Sequence, residues 1–268
     1  MVILSPRENL LYTTAMRNVQ LIIAYDGTNF HGWQAQAGVR TVQGVLTEAC
    51  AALLHHPVLL TAASRTDAKV HARGQAANFI TTCAWPAQNL HGALNSRLPD
   101  DVAIVALRDV DETFRSQAAC GKHYQYRICT AAVDDPLTRH LHWWYARPLD
   151  LAAMQAAAAL LVGSHDFRGL HVQSGKEHET TVREIFAVHV TPHAEELVLD
   201  VLGCSFMYKL VRSLVGLLVA VGRGHVRSED VPALLVGAPT ARRSEVAPPH
   251  GLTLMRVFYA PAEPRLPE

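Results

Sequence analysis

The chain has 268 residues, a length that suits one large domain or two small ones, and 49% of them are apolar, enough to bury a substantial core. Its formal net charge is zero, which argues against a globally basic nucleic-acid binder, and four Trp, seven Tyr and seven Phe argue against disorder. No run of about 18 uninterrupted apolar residues exists, so no membrane span is expected, and five scattered cysteines without a C-x-x-C pair read as reduced thiols of a cytoplasmic protein.

Residues 1–17 lack the charged-then-apolar order of a signal peptide and read as a loose extension. Residues 19–25 form an apolar strand turned by Asp26-Gly27-Thr28. The loop Phe30-His31-Gly32-Trp33-Gln34-Ala35-Gln36 is rich in aromatic and amide groups. These either contact RNA, with Gln34 as the candidate, or, in the case of Phe30 and Trp33, plug the core. Thr41 caps a helix whose apolar face is Val42, Val45, Leu46, Ala49 and Leu53. Short apolar runs at 58–63 and 76–80 read as strands around a polar loop over 64–75. Pro86 starts a helix that ends near Asn95, and 102–107 is a further strand. The order strand, helix, strand, strand, helix, strand is the ferredoxin-like split β-α-β pattern.

The second half repeats that order more loosely. It has a strand over 124–130, an Ala-rich helix over 149–161, strands over 182–191 and 196–202, an apolar helix over 206–221, a short helix over 228–235 and a closing strand over 252–259. A charged, Gly-containing loop from His165 to about residue 179 is placed as an insertion over a cleft. With a boundary at Asp111-Glu112, the expected division is an extension at 1–17, one domain at 18–111, a second at 112–260 and a tail at 261–268. The fold class is α+β: two ferredoxin-like halves whose antiparallel sheets pack around a central, positively charged cleft.

Asp67 is the only carboxylate of the 64–75 segment, with Arg65, Lys69 and Arg73 around it. Cations favour the charged form of a carboxylate. Such an Asp serves as nucleophile or base, or only as half of a structural ion pair. The stretches 64–99, 113–133 and 204–227 together hold eleven Lys/Arg and one acid, Asp67. They are either three ordinary solvated faces or, if they converge, a cleft for a polyanion. Lys209 and Arg212, three apart on an apolar helix, share a face and need a partner if buried, for which Asp67 is the candidate. The stretch Lys122-His123-Tyr124-Gln125-Tyr126-Arg127 alternates, so Tyr124 and Tyr126 lie on one face of the strand, where they also read as paired core aromatics. The many histidines show no H-E-x-x-H or other ligand spacing, so no metal is expected. The Gly-containing run at 221–225 lacks the flanking elements of a phosphate loop.

Arg65-Thr66-Asp67-Ala68, followed by Val70-His71-Ala72 and Gly74-Gln75, resembles the catalytic loop of the tRNA pseudouridine synthase A family. Ser64 and Lys69 stand where that family usually has Gly. Similar motifs occur at 25–36, 40–43, 122–127, 206–212 and 247–254, so the likeness covers about 19–259. At 113–117, Thr113-Phe114-Arg115-Ser116-Gln117 departs from the family's Phe-His-Ala-Arg, and Arg115 stands in for the missing cation. The resemblance implies isomerisation of uridine to pseudouridine in the anticodon stem–loop of tRNA, by a homodimer, with no cofactor. Asp67 would be the catalytic residue, Arg212 its ion-pair partner, and Tyr124 the ring that packs on the target base. Arg65, Lys122, Lys209, Arg115 and Gln34 would contact the substrate. Two alternatives stand beside it: an RNA-binding protein without catalysis, and an unrelated Asp-based hydrolase.

Overall fold

The computed structural model describes residues 16–170, 172, 180–237, 245–261 and 264–266. The first half runs β1 (Arg17–Tyr25), α1 (Val42–Leu54), β2 (Thr61–Ala62), β3 (His71–Thr81), α2 (Ala87–Asn95) and β4 (Val102–Val110). The second runs β5 (Gly121–Cys129), β6 (Trp143–Trp144), α3 (Leu151–Ala159), β7 (Gly163–Asp166), β8 (Val182–His193), β9 (Glu196–Gly203), α4 (Leu210–Gly222), α5 (Val231–Leu235) and β10 (Leu252–Phe258).

Local chemistry explains the helix starts. Thr41 accepts from the Gly44 amide ahead of α1, and Asp150 accepts from the Ala153 amide ahead of α3. Val19, Leu21 and Ile23 alternate along β1 and are fully buried, as a half-covered strand requires. α1 packs on α2 and α3 on α4, and both pairs feed one continuous apolar core that draws residues from both halves.

Among the described residues all ten strands belong to one sheet, in the order β4-β1-β3-β10-β5-β9-β8-β7, with β2 paired to β3 and β6 to β5. The groups β4-β1-β3-β2 and β10-β5-β9-β8 each follow the order fourth, first, third, second once the short strands β6 and β7 are left out of the second half's count. The joint between them differs from the expected face-to-face packing of two sheets. β10 pairs β3 edge to edge and in parallel, Thr253 opposite His71 and Leu254 opposite Ala72. Its edge backbone groups thus find partners in the other half. His71 strengthens this joint. Its Nδ1 accepts from the Gly27 amide, and its Nε2–H donates to the carbonyls of His140 and His250. Burial pushes the ring's pKa down, in keeping with this neutral tautomer.

Four local expectations change. The polar segment stops being a loop at Val70, because His71, Gln75 and their neighbours are buried within β3. Only Thr61–Ala62 of the 58–63 run pairs as a strand. His165 and Asp166 belong to β7, while residues 171 and 173–179 of the proposed insertion, like residues 1–15, lie outside the described residues. The helix expected from Phe206 begins at Leu210, because Lys209 is left-handed at φ 59°.

Gly74 lies at the joint, where an added Cβ would collide with the backbone oxygen of Met255. Gly74→Ala therefore forces β3 and β10 apart, and should destabilise the protein by about 1–3 kcal/mol, the usual cost of overpacking. Urea denaturation measures this, and an unchanged midpoint would show that the joint tolerates separation.

Candidate active site

Residues 63–70 connect β2 to β3 and are held from below by the segment that follows β1. The Trp33 amide donates to the Thr66 carbonyl at 3.1 Å, and the Lys69 amide donates to the Phe30 carbonyl at 3.2 Å. The Tyr25 hydroxyl meets Thr66 Oγ1 at 2.7 Å in a buried contact. Gln75 of β3 donates from Nε2 to the Ser64 carbonyl at 2.7 Å. Close approach requires small residues beneath the loop. A Cβ on Gly32 would lie 2.8 Å from the Thr66 carbonyl oxygen, and one on Gly27 would strike that of Val70. Phe30 and Trp33 are buried, so of their two readings the core plugs hold.

This framework presents Asp67 to the other half of the chain. Arg212, in the first turn of α4, donates from Nη1 to Asp67 Oδ2 at 2.8 Å, across 145 positions of sequence. Its Nε donates to the Ala247 carbonyl at 2.7 Å, and the Ala247 amide donates back to the Arg212 carbonyl. Two of its nitrogens are thus committed, one to the carboxylate and one to backbone, which fixes the plane of the guanidinium. The two side chains are 11% and 17% exposed, so the pair is screened less than a surface bridge and remains open to a ligand.

Around the pair lies a cleft of about 670 Å³, within the usual range for ligand sites. Its lining includes Ser64, Arg65, Asp67, Lys122, Tyr124, Phe206, Tyr208, Lys209 and Arg212. Each of the three cation-rich stretches contributes at least one cation, and among the described residues Asp67 is the sole carboxylate of the lining. The other cations of those stretches do not line it; Arg127, for example, forks onto Glu196. Tyr124 is 6% exposed and packs edge-on with Phe206, ring centroids 5.3 Å apart. Its hydroxyl meets Ser64 Oγ at 2.8 Å. Burial pushes its pKa up to about 12, the Ser64 hydrogen bond opposing and the Asp67 charge adding, so the phenol keeps its proton at working pH.

The structure brings together Asp67, Arg212, Tyr124, Arg65, Lys122 and Lys209. Two other candidates stand elsewhere. Gln34 donates to Gln43 Oε1 at 2.7 Å outside the cleft, and Arg115 donates to the carbonyls of Glu112 and Phe114 on the surface. Lys209 lies on no helical face with Arg212: it precedes α4, with Nζ 4.7 Å from the Tyr208 ring centroid. Among the described residues no three His, Cys, Asp or Glu side chains form a metal-binding group. Sequence reasoning passed over Gln75, Tyr25 and Ser64 as supports of the loop. Their signal, polar groups in or beside apolar runs, appears only when their partners are known.

Lys69 is left-handed at φ 65°, the conformation that glycine adopts without strain. Lys69→Gly should therefore stabilise the fold by a few tenths to about 1 kcal/mol, strain relief outweighing the entropy of a freer unfolded chain. Thermal and urea unfolding report the difference; a destabilised variant would mean that Lys69 contributes more through its side chain than its backbone costs.

The model of a protein family described as tRNA pseudouridine synthase matches residues 21–118 and 157–260. A relative from Acetivibrio thermocellus named tRNA pseudouridine synthase A is 40% identical over 245 residues, covering 91% of this chain and 100% of that one. Relatives of the same name from Geotalea uraniireducens and Syntrophotalea carbinolica are each 41% identical. They cover 91% and 92% of this chain, and 100% and 98% of their own length.

Proposed function

The chain belongs to the tRNA pseudouridine synthase family, and from that premise we propose that it isomerises uridine to pseudouridine in the anticodon stem–loop of tRNA. The observation that carries the reading is the Asp67–Arg212 contact within a cleft lined, among the described residues, by four cations and a single carboxylate. The C1′–N1 bond breaks, the uracil turns, and C5 joins C1′. Nothing is oxidised and nothing is hydrolysed overall, so the reaction calls for no cofactor. Asp67 is the chemical residue, as nucleophile toward ribose or base, or as the base that removes a ribose proton. Arg212 aims it through a guanidinium already fixed by Ala247.

A uridine in a stem–loop must leave its stack to reach Asp67, at a cost of a few kcal/mol. Tyr124 offsets part of that cost as a wall of the cleft against the base. Arg65, exposed at the rim, meets the RNA where the base departs. We read each half, 18–111 and 112–260, as a ferredoxin-like unit, supported by the shared strand order, and the enzyme as a cytoplasmic homodimer. A binding module without catalysis has no use for a carboxylate among cations. A hydrolase needs a second acid or a metal near Asp67, and among the described residues the lining supplies no second carboxylate.

Asp67→Asn should bind unmodified tRNA yet form no pseudouridine, read by carbodiimide mapping. Arg212→Lys, which keeps charge but loses the planar fork, should fall between wild type and Arg212→Met. Product at the wild-type rate from Asp67→Asn would end the assignment. Affinity for tRNA should also fall steeply as salt rises, through counterion release; a flat dependence would mean that the cleft's cations do not meet phosphates.

A further inference from the structure

Among the described residues, one partly buried cation of the cleft has no hydrogen-bond, ion-pair or aromatic partner. Arg212 is committed to Asp67 and Ala247, Lys209 rests on the Tyr208 ring, and Arg65 is exposed at the rim. Lys122 is different. It precedes Tyr124 by two positions on β5, so both side chains leave the same face of the strand, and both line the cleft. It is partly buried, and no described residue gives its ammonium a hydrogen bond or a carboxylate. Burial pushes its pKa below the ordinary lysine value, opposed only by the Cys204 thiol. An ammonium withdrawn from water without a counter-charge is costly, and a negative group of the ligand relieves that cost.

Resting on the reading above, we propose that Lys122 binds a carbonyl oxygen of the target uracil and stabilises the negative charge that the ring carries during the reaction. The assignment holds for every role left open to Asp67. If Asp67 attacks C1′, the C1′–N1 electron pair leaves with the uracil, and its charge is shared between N1, O2 and O4. If Asp67 instead removes a ribose proton, elimination expels the same anion. If Asp67 adds to C6, the electron pair of the C5–C6 bond moves onto O4. In each case the charge is discharged when C5 bonds to C1′; the C5 proton then leaves while N1 takes one up, and the Asp67 carboxylate is restored, in the elimination route by returning its proton to the ribose. A fixed donor at the oxygen that gains charge is worth most where water is excluded.

A phosphate offers the same anionic oxygen chemistry. Depth favours the base: phosphates remain solvated near rim residues such as Arg65, whereas Lys122 shares its strand face with the buried ring of Tyr124.

The test uses full-length wild type, Lys122→Met and Lys122→Arg, with unmodified tRNA in single-turnover reactions at saturating enzyme and binding measured across a salt series. Lys122→Met should lose about 10²-fold in rate at saturation, the usual loss for one such donor, with tRNA affinity and its salt dependence unchanged. Lys122→Arg should recover part of the rate. Titratable groups facing Lys122 are Asp67 and Arg65 on the loop, Tyr124 on its own strand, Cys204 after β9, and Tyr208, Lys209 and Arg212. The charged form of Lys122 is the active one, so wild-type rate should fall as pH rises through its lowered pKa, and Lys122→Arg should lack that fall. An undiminished rate with weaker binding and a salt slope smaller by about one would assign Lys122 to a phosphate and overturn the proposal. The same alkaline fall in Lys122→Arg would also overturn it, and this arm stands even if Lys122→Met does not fold. Wild-type protein that makes no pseudouridine would sink the functional reading itself, and this inference with it.

Discussion

A 2.8 Å hydrogen-bonded ion pair between Asp67 and Arg212 sets the requirement that the rest of the molecule meets. The partners come from different halves of the chain, and each is mostly withdrawn from water. Losing one partner of such a buried pair costs about 3–5 kcal/mol, because the other charge stays desolvated. The two halves must therefore be held at a fixed separation and orientation. The parallel pairing of β3 with β10 does this, and His71 reinforces it by donating to two carbonyls that flank the joint. Gly74 allows the strands to close to that distance.

The loop that carries Asp67 is rigid for a related reason. Its backbone is tied to Phe30 and Trp33 below and to the Gln75 side chain, and its side chains are tied to Tyr25 and Tyr124. Nearly every tie is to a buried polar group, where an unmade hydrogen bond is most costly. A carboxylate on such a loop keeps its place without help from substrate. Arg212 is equally constrained from the other side through Ala247, which sits close to α4 because Gly216 leaves room for the carbonyl of Glu245.

Charge in the cleft is divided by depth. Arg65 is exposed and Lys122 half-buried, while Arg212 is spent on the carboxylate. The formal net charge of zero therefore leaves room for several cations around one site. Tyr124, with its proton retained to about pH 12, adds an uncharged wall beside these groups.

Much of this was legible in the residues alone. Alternation and capping located nearly every long element, because the 2.0 and 3.6 periods and the caps at Thr41 and Asp150 are local properties. The motif around Asp67, the sole carboxylate of its segment, singled out the candidate residue that the structure places in the cleft. What the chain could not disclose locally was decided by contacts between distant segments. The polar stretch 71–75 became strand because β1 and β10 bury it, and helix α4 began late because Lys209 turns left-handed. Gln34 and Arg115 carried the right chemistry but found nearer partners, so they left the cleft. The sequence determined which side chains can do the chemistry, since that depends on their type and local spacing. Tertiary structure alone decided which of them meet, because hydrogen bonds and desolvation act through space and not along the chain.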